Sequence, residues 1–191
     1  MSSEIRSFYA VDVDESVRDA AIAVINDMKQ RDWGTSVRWV KRESLHITLR
    51  FLGHIDEPTI EKINSQLSTS LHDIENFNIH CNEIRIFPSI KKPRVIVASL
   101  VKHPALEQLN KIIESACIAA GLKAETRQFK AHLTLGRCTE KFPKHTRLEL
   151  PAFSKHIAVN KVKLFSSNFT AEGSVYSVLK EFDLKITQEV E

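Results

Sequence analysis

The spacing of apolar residues predicts short strands and helices that alternate along the whole chain. Residues 6–13 and 46–52 are rich in β-branched and aromatic side chains, which favours strands. Residues 17–28 instead place apolar side chains at helical spacing, with Asp14 as the N-cap and Gly34 beyond the end. Further strands are predicted at 37–40, 79–87, 94–101, 131–138, 157–165 and 175–182. A second helix is predicted with Asp56 as its N-cap, and a third helix is predicted to begin near Pro104 and to stop at Gly121. This order predicts a mixed α+β fold, and no linker divides it.

One four-residue pattern occurs twice in predicted strands. Residues 46–49 (HITL) and 132–135 (HLTL) lie close to half the chain length apart. Because strand side chains alternate, each copy presents His and Thr on one face and two aliphatic residues on the other. A half-solvated strand shows the same alternation, so one copy alone would indicate little. Two copies predict a duplicated unit whose pseudo-twofold axis brings two imidazoles and two hydroxyls to one cleft.

Such a set of side chains suits phosphoester chemistry. The reaction needs a base for the attacking oxygen and an acid for the leaving oxygen, and imidazole, with a pKa near ~6.5, can serve as either. The hydroxyls of Thr48 and Thr134 can donate to the non-bridging phosphate oxygens. The residues alone leave open whether His46 or His132 is the acid.

The chain resembles the 2H phosphoesterase superfamily, and within it the RNA 2',3'-cyclic phosphodiesterase (2'-5' RNA ligase) family. The resemblance rests on blocks that occur in the family's order over nearly the whole chain: residues 6–10 (RSFYA), 39–40 (WV), 43–53 (ESLHITLRFLG), 129–137 (FKAHLTLGR), 164–167 (LFSS) and 173–176 (GSVY). Ala131 stands where the family often has Pro, and Gly136 where Ala is familiar; little effect is expected from either.

The resemblance implies a bilobal α+β fold in a single domain over residues 1–191. In it a pseudo-twofold duplicated unit has two antiparallel-rich sheets that form a central cleft, and helices pack on the outside. The implied reaction opens RNA 2',3'-cyclic phosphate ends to 2'-phosphomonoesters without a cofactor. Transfer RNA fragments are candidate substrates, and reversible 2'-5' ligation is a further implied activity. His46 is implied as proton donor, His132 as proton acceptor, and Thr48 and Thr134 as phosphate-binding residues.

Two arginines after the motifs are further candidates for phosphate binding. Arg137 comes five residues after His132, so regular alternation puts it on the opposite face unless a bulge intervenes, although the resemblance implies a phosphate contact. Arg50 comes four residues after His46 and is expected on the same face, where it binds RNA phosphate or pairs with a carboxylate. Four aromatic residues either stack on a base or pack in the core: Phe8, Tyr9, Trp39 and Tyr176.

Composition and charge narrow the class of protein. Cys81, Cys117 and Cys138 have no CxxC spacing, so reduced thiols are expected and no metal site is predicted. Apolar runs such as residues 95–101 are too short to span a bilayer, and the first residues lack a secretory signal, so the expected compartment is the cytoplasm. A monomer is also expected. Residues 123–147 hold seven basic and two acidic side chains, which either attract phosphates or form a solvated loop.

Three other functions remain open at this stage. A small-nucleotide cyclic phosphodiesterase, acting for example on ADP-ribose 1'',2''-cyclic phosphate, would use the same chemistry. A non-catalytic RNA- or nucleotide-binding module would have no need for two HxT motifs. A metal-dependent hydrolase would need carboxylate or further histidine partners around the pair. The remaining histidines lack the motif and are expected in surface or capping roles: His54, His72, His80, His103, His145 and His156.

Overall fold

The computed structural model describes residues 4–144, 148–170 and 173–186. Residues 1–3 lie outside the described range, and the prediction that the chain starts without a secretory signal falls partly on them. His145 and Arg147 also lie outside the described range. The elements are β1 (Ile5–Asp12), α1 (Glu15–Lys29), β2 (Val37–Trp39), β3 (His46–Ile55), α2 (Glu57–Ser70), β4 (Phe77–Ser89), β5 (Lys92–Leu100), α3 (Pro104–Ala119), β6 (His132–Cys138), β7 (Lys155–Val159), β8 (Lys161–Thr170) and β9 (Gly173–Asp183).

The helix ends follow the predicted capping residues. The carboxylates of Asp14 and Asp56 each accept a hydrogen bond, 3.0 Å long, from the backbone N–H three residues on, so both N-caps are confirmed. Pro58 lies in the first turn of α2, where a missing N–H leaves no bond unmade. Gly121 follows α3 with a φ of 98°, a left-handed conformation that ends helices and favours glycine. None of the described helices is long and apolar enough to cross a membrane.

The strands form one antiparallel sheet in the order β7-β4-β5-β6-β3-β1-β8-β9, and β2 pairs with β6. At its centre β3 and β6 are joined through a single residue pair, Ile47 with Leu133. The α+β class is confirmed. The two predicted sheets are halves of one sheet, because this central pair connects them. The pseudo-twofold relation between the halves stays a prediction.

The single strand predicted over residues 157–165 is wrong, because β7 and β8 are separate elements on either side of Asn160. β7 pairs with β4 in one half of the sheet, whereas β8 pairs with β1 in the other half. The buried positions change phase at the break, from Ile157 and Val159 to Val162 and Leu164. The chain therefore crosses from one half of the sheet to the other within residues 157–165.

The hydrophobic core lies between the sheet and the helices. α3 packs against α2 and β3, while α1 reaches β7 at the far end of the sheet. Tyr9 of β1 is fully buried in this core, and its hydroxyl donates a 2.8 Å hydrogen bond to the side-chain oxygen of Asn64 in α2. The opposite face at the β3–β6 junction, which carries the two HxT motifs, stays partly exposed.

Candidate active site

The two HxT motifs lie side by side where β3 and β6 begin. Because the strands pair in antiparallel register at the residue between His and Thr of each motif, His46 comes opposite Thr134 and Thr48 opposite His132. The two histidines are then diagonal neighbours, which places their Cα atoms about 7–8 Å apart. This spacing leaves room for one phosphate between the two imidazoles. All four side chains are partly exposed on the same face.

Backbone carbonyls orient both imidazole rings in the same way. Nδ1 of His46 lies 2.8 Å from the carbonyl oxygen of Ser44, and Nδ1 of His132 lies 2.7 Å from that of Lys130. A carbonyl can only accept, so each Nδ1 carries a hydrogen and each Nε2 remains available to exchange a proton. Nε2 of His46 lies 3.1 Å from the hydroxyl of Thr48.

His46 is surrounded by aromatic rings. The centroids of Phe8, Tyr176 and Phe165 lie 4.8, 5.2 and 6.2 Å from that of its imidazole. Burial in this cluster lowers the pKa of His46 to about 4, although the bond to the Ser44 carbonyl and the nearby Asp12 carboxylate both act to raise it. His46 is therefore neutral at physiological pH in the free protein.

A β-bulge in each motif decides which later side chains face the cleft. The pairing of β3 with β1 skips Leu49, and the pairing of β6 with β5 skips Leu135; each is the fourth residue of its motif. One extra residue reverses the alternation of side chains along a strand. The fifth residue after each histidine therefore returns to the face of that histidine: Phe51 in β3 and Arg137 in β6.

Arg137 therefore faces the cleft. Its spacing from His132 puts it on that face only if a bulge intervenes, and the bulge at Leu135 does so. Its charge is one of those that lower the pKa of His46, which agrees with this placement. The bulge also brings Gly136 against β2, where a Cβ atom would lie 2.5 Å from Cγ1 of Val37 and 3.0 Å from Cε3 of Trp39. Only glycine fits this close approach of the two strands without displacing them.

The prediction that Arg50 shares the face of His46 is wrong, because the Leu49 bulge turns Arg50 towards the helices. Its cross-strand partner is Tyr9, which lies in the core. Its Nε lies 2.5 Å from a carboxylate oxygen of Glu114 in α3. Arg50 was expected either to bind RNA phosphate or to pair with a carboxylate, and the structure shows the carboxylate pair. The guanidinium of Arg50 lies away from the cleft.

Two of the four predicted base-stacking candidates lie at the site. Phe8 and Tyr176 contact His46, whereas Tyr9 belongs to the core and Trp39 packs against Trp33 and Gly136. Sequence reasoning missed Phe51, which is 47% exposed and whose ring centroid lies 5.6 Å from that of Phe8. It also missed Phe87, whose ring stacks near His132 with centroids 6.4 Å apart. Both histidines therefore have aromatic neighbours.

An ion-pair network adjoins His46. Asp12, its cross-strand partner, accepts hydrogen bonds from Arg18 and, at 2.8 Å, from Nζ of Lys163. Lys163 also lies 3.1 Å from a carboxylate oxygen of Glu181. The Asp12 charge acts to raise the pKa of His46 and the Arg18 charge to lower it, so these effects oppose each other and burial dominates. An acidic residue ending a strand gave no sequence indication of this role.

None of the three thiols belongs to the HxT motifs. Cys81, Cys117 and Cys138 are free, as predicted, and burial raises the pKa of the first two to about 12 and of the third to about 11. These values describe unreactive thiols. Within residues 4–144, 148–170 and 173–186, no three His, Cys, Asp or Glu side chains are grouped to hold a metal ion.

The chain is similar to phosphoesterases over nearly its full length. The family model described as LigT-like phosphoesterase matches residues 11–97 and 100–176. The RNA 2',3'-cyclic phosphodiesterase of Archaeoglobus fulgidus is 30% identical over 183 residues, which cover 94% of this chain and 100% of that protein. The protein of the same name from Thermotoga maritima is 29% identical over 181 residues, which cover 93% and 94% of the two chains.

The fold is shared with a solved structure. The crystal structure of Escherichia coli LigT complexed with 3'-AMP matches with a TM-score of 0.78 at 24% identity, and covers 95% of this chain and 98% of that one. At this identity the likeness concerns the fold alone. The family model, however, includes both HxT motifs, and the Archaeoglobus relative matches over its whole length and 94% of this chain. The chain therefore belongs to the LigT-like phosphoesterase family.

Proposed function

We propose that this protein hydrolyses RNA 2',3'-cyclic phosphate ends to 2'-phosphomonoesters by two-histidine acid–base catalysis. The observation that carries the proposal is the antiparallel pairing of the two HxT motifs, which supports a phosphate-sized gap between His46 and His132. Family membership and the relatives named RNA 2',3'-cyclic phosphodiesterase support the substrate.

The reaction begins with a water molecule opposite the 3' oxygen of the cyclic phosphate. Nε2 of His132 takes a proton from this water as its oxygen bonds to phosphorus. The bond between phosphorus and the 3' oxygen breaks, and Nε2–H of His46 gives its proton to that oxygen. The products are a 2'-phosphomonoester and a free 3' hydroxyl. The fixed Nδ1–H of each ring supports this use of Nε2.

Negative charge that builds on the non-bridging phosphate oxygens needs hydrogen-bond donors from both motifs. The hydroxyls of Thr48 and Thr134 lie on the same face as the histidines and are proposed to donate to these oxygens. Arg137, returned to that face by its bulge, is proposed to bind the same phosphate with its guanidinium. The aromatic rings of Tyr176 and Phe51 are proposed to stack with the terminal base.

The roles of the two histidines meet one physical difficulty. A proton donor must be protonated before the step, yet burial holds the pKa of His46 at about 4 in the free protein. A bound phosphate anion next to the ring favours its protonated form, as Asp12 already does. The donor role of His46 therefore depends on the charge of the substrate, whereas the neutral ring of the free protein suits the acceptor role.

A sulfur leaving group separates the two roles, because a thiolate departs without a general acid. The substrate is a 2',3'-cyclic phosphate in which sulfur replaces the 3' oxygen. On this substrate the variant that lacks the acid should recover most of the wild-type rate, whereas the variant that lacks the base should not. Recovery by His46→Ala supports the donor role of His46. Recovery by His132→Ala instead would exchange the two roles.

The proposed function itself is tested with an RNA that ends in a 2',3'-cyclic phosphate, incubated in EDTA. The expected product carries a 2'-phosphate, and both His46→Ala and His132→Ala should lower kcat by at least about 100-fold each, the typical worth of a positioned proton transfer. A 3'-phosphate product, or activity that survives both substitutions, would contradict the mechanism. The same variants test 2'-5' ligation of transfer RNA fragments, in which a 5' hydroxyl would attack the cyclic phosphate in place of water and the 3' oxygen would leave at the same site.

A further inference from the structure

A groove beside the candidate active site is lined with basic side chains. Its volume is about 800 Å³, and it is lined by Thr35, Arg38, Arg94, Arg137, Glu140 and Lys141, among others. Four of the six are cationic and one is anionic. The groove lies where β2, β5 and the end of β6 meet, so residues far apart in sequence build it together.

The groove is continuous with the candidate active site through Arg137. Arg38 is the direct cross-strand partner of Arg137, and direct partners project from the same face of a sheet. Arg94 precedes Val95, the partner of Arg137 on the other side, and lines the same groove as Arg137. Lys141 follows the end of β6. The cations therefore extend from the cleft towards the end of the sheet.

These cations take no part in the ion pairs that the described residues form. Among the described residues, none of Arg38, Arg94, Arg137 and Lys141 has a carboxylate within 4.0 Å. Six arginines elsewhere in the described chain pair with acids, whereas Arg6 donates a hydrogen bond to the hydroxyl of Ser167 instead. The six are Arg18, Arg31, Arg42, Arg50, Arg85 and Arg127. Like charges gathered in one groove repel each other, and a polyanion relieves that repulsion.

A second open cavity, between α2 and α3, has a different character. Its volume is about 680 Å³, and Lys111 is the one charged residue among those that line it. Concentrated positive charge is thus a property of the groove at the cleft and not of every cavity in this protein. Lys111 offers a natural control position for charge removal.

We propose that Arg38, Arg94 and Lys141 bind the phosphodiester backbone of the nucleotides that precede the cyclic phosphate end. The inference rests on the proposed function, and it makes an RNA strand, and not a mononucleotide, the preferred substrate. The nucleotides upstream of the end leave the cleft past Arg137 and run along the groove. Binding is electrostatic and independent of sequence, because the backbone phosphates are the same in every RNA.

The test compares the variant Arg38→Gln/Arg94→Gln/Lys141→Gln with the control Lys29→Gln/Lys62→Gln/Lys111→Gln, which removes equal charge from the helices. Each is assayed on a mononucleotide 2',3'-cyclic phosphate and on an octaribonucleotide that ends in one. The groove variant should lose at least about 10-fold in kcat/KM on the octamer and less than about 2-fold on the mononucleotide. The control should change neither by more than about 2-fold.

Binding gives a readout that does not depend on catalysis. An octaribonucleotide with a 3'-phosphate, titrated by fluorescence anisotropy at several salt concentrations, should bind the groove variant with a salt slope smaller by about 2, at roughly 0.7 per lost phosphate contact. Equal losses on both substrates, equal losses in the control, or an unchanged salt slope would overturn the proposal. If the wild-type protein opens neither substrate, the proposed function fails; if it opens both equally well, only the groove proposal fails.

Discussion

Acid should destabilise this protein through His46. The pKa of His46 is about 4 in the folded protein and ~6.5 in an unfolded chain. Between these pH values the unfolded chain binds the additional proton, so the free energy of unfolding falls as pH falls. One pKa unit corresponds to about 1.4 kcal/mol, which makes the full difference about 3 kcal/mol. This stability is complete above pH ~6.5 and is lost as pH falls to about 4.

Urea unfolding at pH 7, 6, 5 and 4 measures this loss, with the free energy of unfolding obtained by linear extrapolation. His46→Gln keeps a polar side chain that does not titrate, so between pH 7 and 4 it should lose about 3 kcal/mol less than the wild type. His72→Gln is the matched control, since the His72 side chain is 82% exposed. The reasoning is refuted if the wild type and His46→Gln follow the same pH dependence.

Three further outcomes are expected. Gly136→Ala should destabilise the fold by about 1–3 kcal/mol in thermal unfolding, because the new Cβ meets Val37, and the double variant with Val37→Ala should recover part of the loss. Tyr9→Phe should cost about 1–3 kcal/mol in urea unfolding, since the buried Asn64 oxygen loses its donor, while kcat stays unchanged; a lower kcat would contradict a purely structural role. Asp12→Asn should lower the pKa of the imidazole beside it, seen in proton NMR as a titration shifted to lower pH, and an unmoved titration would contradict that coupling.

Much of the fold follows from local sequence. The N-caps, the helix stop at Gly121 and the alternation that marks each HxT strand are short-range features, because they depend on residues within one turn or one pleat. The duplicated motif likewise indicated both histidines and both threonines as candidate site residues without reference to the fold. The division at Asn160 was less visible, because apolar residues continue on both sides of it and only their phase changes.

The two bulges could not be predicted in the same way. Strict alternation put Arg50 in the cleft and Arg137 outside it, and the structure reverses both assignments. A bulge depends on the register of the neighbouring strand, which is a long-range property. Phe51 was missed for the same reason. It is the fifth residue after His46, as Arg137 is the fifth after His132, so only a bulge places it on the cleft face.

The sequence by itself determined which candidate groups for phosphoester chemistry this protein carries, because the two HxT motifs can be read without any knowledge of the fold. Tertiary structure alone decided which other side chains join them. Strand register turned Arg137 into the cleft and Arg50 away from it, and sheet pairing gathered cations from β2, β5 and β6 into one groove. Burial among aromatic rings then set the protonation of His46, since the pKa of a side chain depends on the groups that surround it in space.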